Sequence, residues 1–215
     1  MSQFAIGLLS IFATLVTTLV SPVRAESSLA LDSVVHFKDF QNREPMLLEL
    51  GNGDLLVSGF PRRPHEPARA PSLWRSSDGG KSWSRVNVGT PADGAIGNSD
   101  VDLAIAPDGT VYFVTMGFNR TTNQGTHVAV GVSEDHAASW VWTQLTDREL
   151  ADRPWVAVAP DGTAHVVWND GEGVHHKLSR DGGGSWQSMP QVHPAGGSSH
   201  FAVGPEGELA VRITP

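Results

Sequence analysis

No cysteine occurs in the 215 residues, which excludes a disulfide scaffold, a cysteine-based metal site and a lipid-modified cysteine anchor. Any stability must come from packing alone. Basic residues are also scarce, 15 Lys and Arg against 23 Asp and Glu, for a net charge of −8. That balance argues against nucleic acid or an anionic membrane surface as partner. The chain has a single tyrosine, Tyr112. It contains no Gly-rich phosphate loop, no G-x-S-x-G elbow and no His/Cys metal spacing. No cofactor and no metal site are expected. One apolar run, Phe4 to Val20, is long, and Val23-Arg24-Ala25 supplies a small-x-small cleavage pattern behind it. Residues 1–25 therefore read as a secretory signal peptide, which places the mature chain in the periplasm or outside the cell. No other stretch is long and apolar enough to span a bilayer.

What the sequence does have is repetition. The pattern S-x-D-x-[G/A]-x-S-W stands at Ser76–Trp83, Ser133–Trp140 and Ser179–Trp186. Each copy asks for a tight hairpin turn. The Asp carboxylate accepts backbone N–H groups, a small residue two places on permits positive φ, and Trp caps the turn. Asp78, Asp135 and Asp181 are accordingly structural, because a carboxylate tied to turn amides is too acidic to serve as a general acid. Ser76, Gly80, Trp83, Ser133, Trp140, Ser179, Gly183 and Trp186 complete the three turns. The middle copy carries Ala137 where the others have Gly80 and Gly183, a change that costs about 1–2 kcal/mol if the position is left-handed.

A second element repeats in step with the first: an apolar run, a turn with glycine, and another apolar run. It occurs at Leu47–Val57, Leu103–Phe113, Val156–Val166 and Phe201–Val211, and its glycines, 53, 109, 162 and 207, lie about 50 residues apart. This is the period of four-stranded β-propeller blades. In the second unit the strands are expected at about 102–106, 111–117, 127–133 and 140–146. The inner strands read as continuous apolar runs, as strands covered on both faces do, and Trp74, Trp142, Trp155 and Trp168 are read as inter-blade core.

The octapeptide pattern resembles the Asp box, or BNR repeat, of sialidases and related propellers. The resemblance implies an all-β propeller with blades at about 43–88, 100–146 and 153–192 and half a blade at 199–215. It also implies a six-bladed parent of which this chain is a fragment, with Ser33 to Phe37 as a closing strand of a further blade. An isolated chain with an unpaired half blade is expected to self-associate.

In such propellers the ligand sits at the mouth of the central channel, where the first strand of each blade begins. The resemblance thereby nominates Arg43, Glu44, Asp100, Asp102, Asp152, Arg153 and His200 as ligand-binding candidates. Arg43-Glu44-Pro45 is similar to the Arg-x-Pro motif that supplies a substrate-gripping arginine in sialidases, and a guanidinium fork suits a ligand carboxylate. The equally open alternative is that these groups pair with one another across blades. The rest of the sialidase set, a Tyr nucleophile with its Glu and a separate acid/base Asp, is not found: Tyr112 falls in a strand, and the loop Pro61 to Ser72 holds Glu66 but no Asp. His175 and His176, with Asp170 and Glu172 nearby, could recruit a metal only if neighbouring strand residues faced the same way, which they do not. Two functions remain, a glycan-binding or glycan-processing propeller and a non-catalytic scaffold for a protein partner.

Overall fold

The computed structural model describes residues 42–61 and 70–214 together with Val34, His36 and Phe37. The signal segment and most of the loop holding Glu66 lie outside the described residues. Apart from Val34, the described chain forms one compact unit. It is all-β except for a single 3-10 turn at Pro91–Asp93.

Among the described residues fourteen strands make four antiparallel sheets, each ordered as the chain runs. The first contains β1 (Asn42–Glu49), β2 (Leu55–Pro61), β3 (Ser72–Ser76) and β4 (Ser84–Arg85). The second contains β5 (Val101–Ile105), β6 (Val111–Asn119), β7 (Gln124–Ser133) and β8 (Val141–Thr146). The third contains β9 (Asp152–Val158), β10 (Ala164–Asp170), β11 (Gly173–Ser179) and β12 (Gln187–Ser188), and the fourth only β13 (Gly197–Val203) and β14 (Leu209–Thr214). Among the described residues no helix is long and apolar enough to cross a membrane.

The first two strands of each sheet are joined by the expected glycine turn. In the second sheet Ala106 N–H donates to the Thr110 carbonyl at 2.8 Å, Asp108 Oδ1 accepts the Thr110 N–H at 2.9 Å, and Gly109 sits at φ +93°. The third and fourth strands of the first three sheets are joined by the octapeptide turns. Ser76 Oγ donates to Asp78 Oδ1 at 2.8 Å and accepts the Gly80 N–H at 2.8 Å, while Asp78 takes the Ser82 N–H at 2.9 Å and its hydroxyl at 2.6 Å. The same bonds recur around Asp135 and Asp181.

The core lies between sheets. Leu56 and Leu73 of the first pack on Leu103, Val111 and Phe113 of the second. Val114, Val128 and Val130 of the second meet Val156, Val166 and Trp168 of the third, and Val167 and Val174 of the third meet Phe201 of the fourth. Hydrogen bonds cross the same seams: Trp142 Nε1 donates to the Val88 carbonyl at 2.7 Å, and Lys177 Nζ to the Leu145 carbonyl at 2.6 Å. Of the segment expected to close a further blade, Ser33 and Val35 lie outside the described residues; Phe37 packs edge-on against Trp74 at 4.9 Å and stacks on Trp83 at 5.5 Å.

Candidate functional site

The four inner strands β1, β5, β9 and β13 begin on one side of the molecule, and three of them are irregular where they begin. Register slips fall between Arg43 and Met46 in β1, opposite Val167 to Asn169 in β9, and between Ser198 and Phe201 in β13. In β1 and β9 the slip has one cause. Glu44 (φ +47°) and Arg153 (φ +50°) are both left-handed and both precede a proline. A residue before proline ordinarily extends, so this backbone is strained, and bulges of this kind turn side chains out of the pleat.

The side chains so placed form two groups. In the first, Asp100 is half-buried and its carboxyl is pushed up to about 6, mainly by burial, then by the negative charges of Asp152 and Glu44, with Arg153 opposing. Ser99 Oγ donates to it at 3.4 Å. Asp152 Oδ1 caps the Arg153 N–H at 3.0 Å, and Asp152 Oδ2 stands 3.9 Å from the Arg153 Nε. Four candidates, Glu44, Asp100, Asp152 and Arg153, therefore share one electrostatic neighbourhood.

The second group centres on Asp102, which is only 3% exposed. Its Oδ1 accepts the N–H of Leu103 at 2.9 Å, and its Oδ2 accepts the N–H of Val156, in the next sheet's inner strand, also at 2.9 Å. Burial pushes this carboxyl up to about 6, with the two N–H donors and His200 pulling against it. His200 Nε2 lies 3.9 Å from Asp102 Oδ2, and its ring meets Trp155 edge-on at 5.3 Å. One carboxylate thus faces three successive inner strands, β5, β9 and β13. Ser198 adds a second tie, donating from Oγ to the Arg153 carbonyl at 3.3 Å. Arg43 is exposed on β1, in register with Phe60.

Sequence reasoning nominated Asp102 as a ligand contact without seeing its work between strands, and read Trp155 only as core. A histidine near the start of the next repeat's inner strand was the available signal for the Trp155–His200 contact. A separate cleft of about 390 Å³ lies between the loop Arg148–Leu150 and the turn Asp170–Glu172. Here the buried Asp170 carboxylate accepts the Glu172 N–H and the His175 Nε2, each at 2.8 Å, and faces Arg148 Nε at 3.3 Å. A guanidinium holds the place between the carboxylates, and His176 turns to the opposite face, where its Nε2 is 3.1 Å from His165 Nδ1. Among the described residues no group of three or more His, Asp or Glu is disposed to hold a metal ion.

Two further assignments follow from burial. Tyr112, 1% exposed, lies edge-on to Trp186 with its phenol pushed up to about 12 by burial. Asp78 and Asp181 are lowered to about 2, and Asp135 is also lowered, in each case chiefly by hydroxyl donors of their own turns. Neither the tyrosine nor the turn aspartates have the protonation behaviour of a nucleophile or general acid near neutrality.

No protein-family model matches the chain, and no curated protein matches it in sequence. Solved structures do. An α-L-arabinofuranosidase from Fusarium graminearum, in complex with an iminosugar inhibitor, is similar with a TM-score of 0.57 at 16% identity, over 77% of this chain and 53% of that one. A protein of unknown function from Dyadobacter fermentans gives a TM-score of 0.51 at 19% identity, over 78% and 55%. A leech intramolecular trans-sialidase gives 0.51 at 15%, over 77% and 27%. The fold is therefore that of a sialidase-like β-propeller. This chain spans about half the length of the first two neighbours.

Proposed function

We propose that this chain belongs to an exported, Asp-box propeller of sialidase type that binds or processes a glycan at the mouth of its channel. The observation that carries this reading is the convergence of Glu44, Asp100, Asp152 and Arg153 at the starts of three inner strands, with a Trp155–His200 contact between β9 and β13. Carboxylates and guanidinium groups offer acceptors and donors to sugar hydroxyls, and the strained backbone at Glu44 and Arg153 is retained where it aims those groups. Glycosidases among the solved neighbours support the same reading at the level of fold.

Catalysis by a tyrosine nucleophile is not part of the proposal, since Tyr112 is sealed in the sheet. That burial, with Asp102 committed to backbone N–H groups, favours the second reading, a non-catalytic propeller that scaffolds a protein partner. A glycan array combined with hydrolysis assays on aryl α-L-arabinofuranosides and sialosides separates the two. The proposal expects glycan binding with no sialoside turnover. A blank array, with a specific protein captured from the producing cell's periplasm or medium, gives the scaffold.

A further inference from the structure

We propose that the mouth takes an uncharged sugar rather than a carboxylate-bearing one, holding its hydroxyls at Asp100 and Asp152 and an apolar face of its ring at the Trp155–His200 corner. This rests on the glycan reading above and gives it a substrate class.

Glu44, Asp100 and Asp152 bring three carboxyl groups to the mouth, with Asp102 buried, against the guanidinium groups of Arg43 and Arg153. Arg153 is already engaged, with its Nε 3.9 Å from Asp152 Oδ2. The upward displacement of Asp100 comes chiefly from burial and then from the charges of Asp152 and Glu44, which Arg153 only partly opposes. A ligand carboxylate set down beside Asp100 would meet that same repulsion. Sugar hydroxyls would not. An ionised carboxylate is an acceptor only; Ser99 Oγ reaches Asp100 at a long 3.4 Å, and sugar hydroxyls would add donors.

Trp155 is half-buried in β9, and its indole Nε1 is buried without a hydrogen-bond partner among the described residues. His200 leans edge-on against it, with 64% of its side chain open to solvent and its Nε2 turned toward Asp102. An apolar ring surface beside an exposed imidazole suits the C–H face of a sugar next to a hydroxyl. Asp102 acts through His200, as a positioning residue, and does not itself reach the ligand.

The test uses the full chain, titrated by calorimetry at pH 7.5 with arabinobiose and lactose as uncharged probes and with 3′-sialyllactose as the acidic counterpart of lactose. The proposal expects an uncharged disaccharide to bind, at least tenfold more weakly in Asp100→Asn and in His200→Ala. It expects Arg43→Ala to leave that binding unchanged and sialyllactose to bind no better than lactose. Asp102→Asn should change the pH profile of binding while leaving its plateau within threefold. Melting temperatures of all variants guard against misfolding. If sialyllactose binds, lactose does not, and Arg43→Ala abolishes the interaction, the uncharged class is wrong while the glycan reading stands. Uncharged binding that survives both Asp100→Asn and His200→Ala in folded protein also overturns the proposal. If neither probe binds and a wide glycan array is blank, the glycan reading fails and this inference falls with it.

Discussion

Among the described residues six non-glycine side chains sit at positive φ: Glu44, Asn123, His136, Ala137, Leu150 and Arg153. Glu44 and Arg153 stand near the starts of β1 and β9, whereas His136 and Ala137 occupy the two turn positions that Gly79 and Gly80, or Gly182 and Gly183, fill in the other octapeptide turns. The octapeptide pattern marked only the second of the two as a glycine position. Left-handed backbone costs a Cβ-bearing residue about 1–2 kcal/mol. His136 is exposed, so His136→Gly should stabilise by up to about 1 kcal/mol in urea denaturation, the remainder being lost to chain entropy. Ala137→Gly should be near neutral, because the Ala137 methyl is fully buried among Leu103 and Phe113 and contributes roughly 0.8 kcal/mol. The reverse changes should differ from each other. A Cβ at Gly80 would meet nothing nearer than 3.8 Å, but at Gly183 it would come within 2.5 Å of Val132. Gly80→Ala should cost about 1–2 kcal/mol and Gly183→Ala a further 1–3 kcal/mol from overpacking. Equal losses would show that the seam beneath Gly183 is looser than its contacts imply.

At the scale of elements, the strands of the second sheet were readable to within three residues at each end. Expected at about 102–106, 111–117, 127–133 and 140–146, they run Val101–Ile105, Val111–Asn119, Gln124–Ser133 and Val141–Thr146. Continuous valine-rich runs between glycine turns leave little freedom. The outer strands were less legible: β4 and β12 hold only two residues each, because Ser84-Arg85 and Gln187-Ser188 carry no apolar period to mark their ends. For the candidate residues, their place at the strand starts was legible but their partners were not. Which residues begin the inner strands follows from the repeat; that Asp102 spends both oxygens on backbone N–H groups depends on the offset between neighbouring sheets, which no local pattern encodes. The inter-sheet tryptophans allow a test at this scale. Trp168 is 4% exposed, stacks on His175 at 5.7 Å and leaves its Nε1 unpaired. Trp168→Ala should cost about 3–5 kcal/mol, whereas Trp168→Phe should lose less than half of that, since no hydrogen bond goes with the indole. A Phe variant as damaged as the Ala variant would mean that the Nε1 does have a partner.

For the whole molecule, the buried titratable groups set a stability profile with opposing slopes. Asp100 and Asp102 have folded values raised from 3.8 to about 6. The folded state holds their protons more tightly than the unfolded state, so stability falls as pH rises from about 4 to about 6. His176, stacked on His165 and lowered to about 4 by burial and then by His165, works the other way. There the unfolded chain binds the proton, so stability falls as pH drops from about 6.5 to about 4. The charged groups that act on this pair are Asp161, which favours protonation of His165, and Arg180, which opposes it. The two slopes overlap and partly cancel, and the wild-type melting temperature should vary little between pH 4.5 and 6.5. Asp78 and Asp181 add a separate acid limit, their folded values being lowered to about 2, with stability lost below about pH 4. Single variants should unmask each arm. Asp102→Asn keeps an acceptor for the Val156 N–H but removes a titration, so its melting temperature should rise steadily from pH 4.5 to 6.5 under the histidine term. His176→Phe removes the opposite term and should give a protein that grows less stable over the same range. Thermal melts at four pH values suffice, and parallel curves for both variants and the wild type would show that neither buried group titrates in the folded chain as its surroundings require.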